Sequence, residues 1–146
     1  MAQKWIYRLE ELRSKDNELV GKKCANLGEM VHMGMRVPPG FAISVDGYEK
    51  FMEETGAGEE IRKYVEDAGE SIHDIQKQVE AGRIIRGIIE GKDMPEGMKQ
   101  ELYAFYDELC ETVGMPDVAV ATRSSGAVSM PGQMETYLNV KGKREL

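Results

Sequence analysis

The sequence predicts an α+β fold in which helices pack on a small mixed or antiparallel sheet. Three observations carry this. Apolar and β-branched runs stand near both ends of the chain: Trp5-Ile6-Tyr7 and Phe41-Ala42-Ile43 early, Val118 to Thr122 and Thr136 to Val140 late. Between them, apolar residues recur at helical spacing. The runs do not alternate regularly with helices, so a doubly wound parallel sheet is not expected.

In chain order, Trp5-Ile6-Tyr7 is a β-like run, followed by a polar segment from Arg13 to Glu18 and then Gly21-Lys22-Lys23. From Ala25 the pattern is helical, with Leu27, Met30 and Val31 on one face and Gly34 as the stop. Val37-Pro38-Pro39-Gly40 is a rigid turn, and Phe41-Ala42-Ile43 is a short buried strand. Ser44 reads as an N-cap for a helix that carries Tyr48, Phe51 and Met52 and ends near Gly56. A further helix holds Ile61, Tyr64 and Val65. Ser71-Ile72-His73-Asp74 resembles a capping box ahead of a stripe of Ile72, Ile75, Val79, Ile85 and Ile89. Pro95 opens the last helix, in which Met98, Leu102, Phe105, Leu109 and Val113 form an amphipathic face, closed by Gly114 and Pro116. These stripes read as core.

A chain of 146 residues can bury one sizeable core. The apolar fraction of 41% and charged fraction of 31% are those of an ordinary globular domain. A net charge of −7 argues against sequence-independent binding of nucleic acid, which needs clustered Lys and Arg. Two cysteines, Cys24 and Cys110, are too few for a disulfide scaffold or a cysteine zinc site and read as reduced thiols. No apolar run has the length of a signal peptide's core or of the ~20 residues of a membrane span. A cytoplasmic location without a membrane partner is the expectation. The Glu53-Glu54 and Glu59-Glu60 pairs read as solvated faces.

The segment from Val118 to Val140 carries the chemistry. A buried strand delivers Arg123 into a loop of Ser124, Ser125, Gly126, Ser129 and Gly132, and a second strand follows from Thr136. A guanidinium offers fixed bidentate donors, and small residues let backbone N–H groups approach an anion. Polyphosphate binding suits this arrangement. A strand-end arginine paired to a surface carboxylate is the plainer reading of Arg123 alone. Likewise Lys23 alone is a solvated lysine before a helix, Thr136 a β-favouring residue, and Gly132 a turn residue.

Two segments in order resemble one family. Leu19-Val-Gly-Lys-Lys-Cys-Ala-Asn-Leu-Gly-Glu-Met30 with Val37-Pro-Pro-Gly-Phe-Ala-Ile43, and then the Arg123 segment, are similar to the N-terminal nucleotide-binding region of the phosphoenolpyruvate synthase and pyruvate phosphate dikinase family. Rifampicin phosphotransferase and phenylphosphate synthase share this region. The resemblance runs from near Trp5 to Lys141, with the intervening helices matching only in pattern. Gly132 to Val140 is similar to the synthase form, whereas Ser129-Met130-Pro131-Gly132 is closer to the dikinase form.

The resemblance implies that residues 1–146 are the N-terminal part of an ATP-grasp nucleotide-binding domain. It implies ATP as phosphoryl donor, Mg²⁺, and a carrier histidine on another domain or subunit that passes the phosphoryl group to pyruvate or a related acceptor such as a phenol. The family's ATP-contacting lysine, arginine, glycine and threonine fall on Lys23, Arg123, Gly132 and Thr136. One departure stands out. The family has Gly-Gly-Lys where this chain has Gly21-Lys22-Lys23. A glycine held there at positive φ leaves Lys22 strained. A different turn or a degraded site are the alternatives, and either Lys22 or Lys23 reaches the nucleotide.

The acidic, metal-binding half of the ATP-grasp domain is expected beyond Leu146. His32 and His73 both read as ordinary helix histidines rather than as the carrier. No complete catalytic set is therefore expected in these 146 residues, and the isolated chain is predicted inactive. The second functional class is a non-catalytic assembly or regulatory subunit that keeps the fold. Lys22 in the glycine position is the feature that favours it.

Overall fold

The computed structural model describes residues 3–70, 74–128 and 134–146. Its elements in order are β1 (Ile6–Arg8), α1 (Asn17–His32), β2 (Phe41–Ile43), α2 (Val45–Glu54), α3 (Ala57–Ala68), α4 (Ile75–Glu90), α5 (Glu96–Val113), β3 (Val120–Arg123) and β4 (Thr136–Val140). Two 3₁₀ turns, Leu9–Glu11 and Ser14–Asp16, lead from β1 to α1. The chain divides into two compact units, Met1–Gly47 with Gln100–Leu146, and Tyr48–Lys99. The architecture is α+β. Among the described residues the strands form two separate antiparallel pairs, β1–β2 and β3–β4, rather than one sheet.

In the first unit β1 and β2 pair in the register Ile6↔Ile43, Tyr7↔Ala42 and Arg8↔Phe41. Two further bonds extend the ladder, Ser44 N–H to the Trp5 carbonyl (2.9 Å) and Leu9 N–H to the Gly40 carbonyl (3.1 Å). Leu9, Leu12, Val20, Ala25 and Ala42 form one buried cluster, with Leu19, Leu27 and Val37 packed against it. Glycine permits the closest approaches. A Cβ on Gly28 would stand 2.5 Å from the Leu12 carbonyl oxygen, and one on Gly47 would stand 2.7 Å from the Trp5 ring. Arg8 donates from Nε and Nη2 to the two carboxylate oxygens of Glu108 (2.7 and 2.6 Å), and its guanidinium lies 5.0 Å from the centre of the Phe105 ring.

The anticipated face of α5 is largely buried at Met98, Leu102 and Leu109, while Val113 is 40% exposed. Tyr106, absent from the anticipated stripe, is 1% exposed. Its hydroxyl donates to the Val118 carbonyl and accepts from the Gly142 N–H, both at 2.8 Å. The β3–β4 pair has the register Val120↔Val140, Thr122↔Tyr137 and Arg123↔Thr136. Between the first two pairs Leu138 and Asn139 oppose Ala121 alone. Asn139 takes φ of 60° there, as the extra residue of a bulge can.

The second unit carries α3, α4 and most of α2. Ala57 and Ala81 are buried, and the Lys92 ammonium pairs with Glu60. Glu53, Glu54, Glu59 and Glu60 are exposed, as solvated faces should be.

Three expectations need correction. The strand leading to Arg123 is not buried: of β3 only Val120 is even half-buried, and in β4 only Val140. Ser44 directly precedes α2, but its buried hydroxyl has no partner among the described residues and caps nothing; its carbonyl accepts from Gly47 N–H instead. The stripe on α4 is not core at its start, where Ile75 and Val79 are 78% and 72% exposed. Asp74 caps that helix, accepting from Gln76 N–H at 2.9 Å. Ser71, Ile72 and His73 lie outside the described residues, as do Ser129, Met130, Pro131 and Gly132.

Candidate functional site

The site is built where the start of α1 meets the loop after β3. The helix is interrupted at Gly21, which has φ of 79° and ψ of 161°. Only glycine adopts this without strain. The regular helix restarts at Lys22, three residues earlier than the apolar pattern indicates. That pattern begins at Ala25 because Lys22 and Lys23 are exposed and carry no periodic signal. Gly21 is therefore the residue with positive φ. Lys22 has ordinary helical geometry and no strain.

Four consecutive loop residues are tied to this segment. The Lys23 ammonium donates to the Ser124 carbonyl at 3.0 Å. Cys24 N–H donates to the Ser125 hydroxyl at 3.4 Å. Lys22 N–H donates to the Gly126 carbonyl at 2.9 Å. Asn17 Nδ2 donates to the Ala127 carbonyl at 3.5 Å. The loop thus satisfies amides at the helix start that would otherwise lack partners. The Ser124 hydroxyl in turn donates to the Glu135 carbonyl at 3.3 Å, closing the loop onto the residue before β4.

This places three of the four candidate residues together. Lys23 is bonded to the residue that follows Arg123, and Arg123 faces Thr136 across the β3–β4 ladder. Gly132 lies outside the described residues. Lys22, Lys23 and Arg123 are all exposed, and among the described residues none of them pairs with a carboxylate. The reading of Arg123 as a partner of a surface carboxylate therefore loses its partner. Two cations on neighbouring backbone, with uncommitted charge, suit the oxygens of a polyphosphate.

Ser124 and Ser125 spend hydroxyl contacts on holding the loop. Sequence reasoning missed this, and it missed Asn17 and the conformation of Gly21. A glycine directly before two lysines at a helix start was the available signal.

His32 lies at the end of α1, where its Nδ1 is 2.8 Å from the Gly28 carbonyl of its own helix. Among the described residues no group of three or more His, Cys, Asp or Glu side chains is placed to hold a metal ion, so no residue here is assigned to Mg²⁺. An open groove of about 450 Å³ lined by Tyr48, Met52, Glu49, Glu53 and Glu59 belongs to the second unit and contains none of the candidate residues. No helix among the described residues is long and apolar enough to cross a membrane.

Residues 17–146 match the family described as pyruvate phosphate dikinase, AMP/ATP-binding domain. Among similar proteins, a probable phosphoenolpyruvate synthase of Methanocaldococcus jannaschii is 39% identical over 97% of the chain. Another probable phosphoenolpyruvate synthase, of Methanothermobacter thermautotrophicus, is 33% identical over 98%, and the phosphoenolpyruvate synthase of Helicobacter pylori is 35% identical over 98%. The chain spans 12%, 22% and 19% of the lengths of these three relatives.

Proposed function

The chain belongs to the pyruvate phosphate dikinase AMP/ATP-binding domain family, and from that premise we propose that it is the ATP-binding portion of a dikinase-type phosphotransferase. In this reading the polyphosphate of ATP lies against Lys23 and Arg123, with Thr136 and Gly132 beside it. The observation that carries it is the Lys23–Ser124 bond, which brings a lysine and an arginine a hundred residues apart in sequence onto adjoining backbone.

Residues 1–146 would form the N-terminal part of an ATP-grasp domain. Acidic side chains elsewhere in the protein would hold Mg²⁺. A histidine on another domain or subunit would accept the phosphoryl group and pass it to pyruvate or a related acceptor such as a phenol. The residues described here would contribute positioning and charge stabilisation, which supply most of the catalysis in phosphoryl transfer.

The alternative, an assembly or regulatory subunit that keeps the fold without the chemistry, drew its support from Lys22 in the family's glycine position. The positive φ falls on Gly21, so Lys22 is unstrained there and that support is weakened.

Calorimetric titration with ATP tests the reading. A charge-assisted contact is worth ~1.5–3 kcal/mol, and the exposure of Arg123 argues for the lower end. Arg123→Ala and Lys23→Ala should each weaken binding by roughly tenfold. Unchanged affinity in both variants would overturn the assignment.

A further inference from the structure

We propose that Ser125 and Gly21 are positioning residues for the polyphosphate contacts of Lys23 and Arg123. This rests on the functional reading above.

The case begins with space. A Cβ on Gly21 would stand 2.4 Å from the Ser125 hydroxyl oxygen and 2.5 Å from both the carbonyl carbon and the carbonyl oxygen of Ser125. A flexible side-chain tip can move aside, but backbone cannot. Gly21 and Ser125 are therefore in direct backbone contact, and only a residue without Cβ allows it. The positive φ of Gly21 is a second, independent requirement for glycine at the same place.

That contact controls the lysine. Immediately after Gly21 the chain turns into helix, so the direction of Gly21 sets where Lys23 leaves α1. Immediately before Ser125 come Ser124, whose carbonyl accepts from Lys23, and Arg123. The Ser125 hydroxyl accepts from Cys24 N–H, one residue beyond Lys23. Each cation is thus within two residues of the Gly21–Ser125 contact. The contact aligns both side chains, Lys23 on α1 and Arg123 at the end of β3, a strand too exposed to align it by burial. A lysine and an arginine held in register lose less side-chain entropy when an anion arrives.

Neither Gly21 nor Ser125 need touch the nucleotide. Their effect passes through Lys23 and Arg123, and that separates a positioning role from a purely structural one.

The test is a double-mutant cycle in the full chain, with ATP affinity read by calorimetry and unfolding read by thermal denaturation. Ser125→Ala removes the acceptor and should weaken ATP binding roughly three- to tenfold, the range of one lost hydrogen bond. Ser125→Thr keeps the hydroxyl and should restore most of the affinity. In a Lys23→Ala background, Ser125→Ala should cost less than it does in the wild type, since one of the two residues it positions is gone and only the part that passes through Arg123 remains. Gly21→Ala should lose binding more severely, but that variant can misfold, so the decision rests on the serine.

Equal loss from Ser125→Ala with and without Lys23 overturns the positioning role, as does wild-type affinity in Ser125→Ala. If those results come while Lys23→Ala and Arg123→Ala still weaken binding, the ATP site stands and this inference alone falls. Wild-type affinity in Lys23→Ala and Arg123→Ala overturns both.

Discussion

The two antiparallel ladders of this chain are of similar size and differ in almost everything else. β1–β2 closes over Trp5, Ile6, Leu12 and Ala42, all buried, and its glycine neighbours are packed against side chains. β3–β4 is exposed along nearly its whole length, with Leu138 72% and Tyr137 59% exposed. A two-stranded ribbon is at best marginally stable without burial. The first ladder is held by hydrophobic burial. The second is held by a few hydrogen bonds from outside itself: the Tyr106 hydroxyl at its base and the ties from α1 to the loop at its tip. The candidate site sits on the second ladder. Stability and the proposed ligand contacts thus fall on different strands, and a ladder held by specific bonds can be altered without dissolving the core.

The sharpest way to break this contrast is Trp5→Ala. Removing a fully buried indole costs about 3–5 kcal/mol through lost burial and the cavity left behind. Chemical denaturation should show that loss, and a change under 1 kcal/mol would mean that the first ladder is not the anchor claimed. The Tyr106 hydroxyl comes next. Burial pushes its phenol pKa up, so it stays neutral and both donates and accepts. Tyr106→Phe leaves the Val118 carbonyl and the Gly142 N–H without their partner and should cost ~1–3 kcal/mol. Hydrogen exchange should localise the loosening to residues 118–123 and 136–142, and uniform loosening of β1–β2 would contradict the separation.

Lys22→Gly should have a smaller effect. Lys22 is helical and exposed, so the change relieves no strain and costs at most about 1 kcal/mol of helix stability. ATP affinity should fall only slightly, through weakened long-range attraction that salt screens. A gain in stability or affinity would mean that the turn lies at Lys22 after all. The smallest effect concerns Arg8 and Glu108. The hydrogen bond from Arg8 holds the Glu108 carboxyl below its ordinary range. A depressed carboxyl pKa adds stability above the unfolded value, and that stability is lost as pH falls through the folded one. Both side chains are well exposed, so the contribution is minor. The difference in melting temperature between wild type and Glu108→Gln should therefore be small at neutral pH and vanish on acidification through the carboxylate range. A difference that grows on acidification would have the wrong sign for this pair.

Much of this molecule was legible in its residues. Phe41–Ile43 and Thr136–Val140 are strands with the bounds their β-rich runs indicate, and Gly34, Gly56 and Gly114 follow the ends of α1, α2 and α5 with positive φ. These features are local: side-chain shape and the freedom of glycine act within a few residues. The family was legible too, because its motifs are contiguous. Burial was less so. Val118 to Arg123 and Ile75 with Val79 look like core because apolar periodicity records which face is apolar, not whether anything covers it. The site divides along the same line. Lys23, Arg123 and Thr136 are proposed from residue type and order alone. That Gly21 rather than Lys22 bears the turn, and that Ser125 rests against it, depends on residues about a hundred positions apart coming so close that no Cβ would fit between them. Only the tertiary structure decides such a contact, because the space available to a side chain is set by whatever the rest of the chain places beside it.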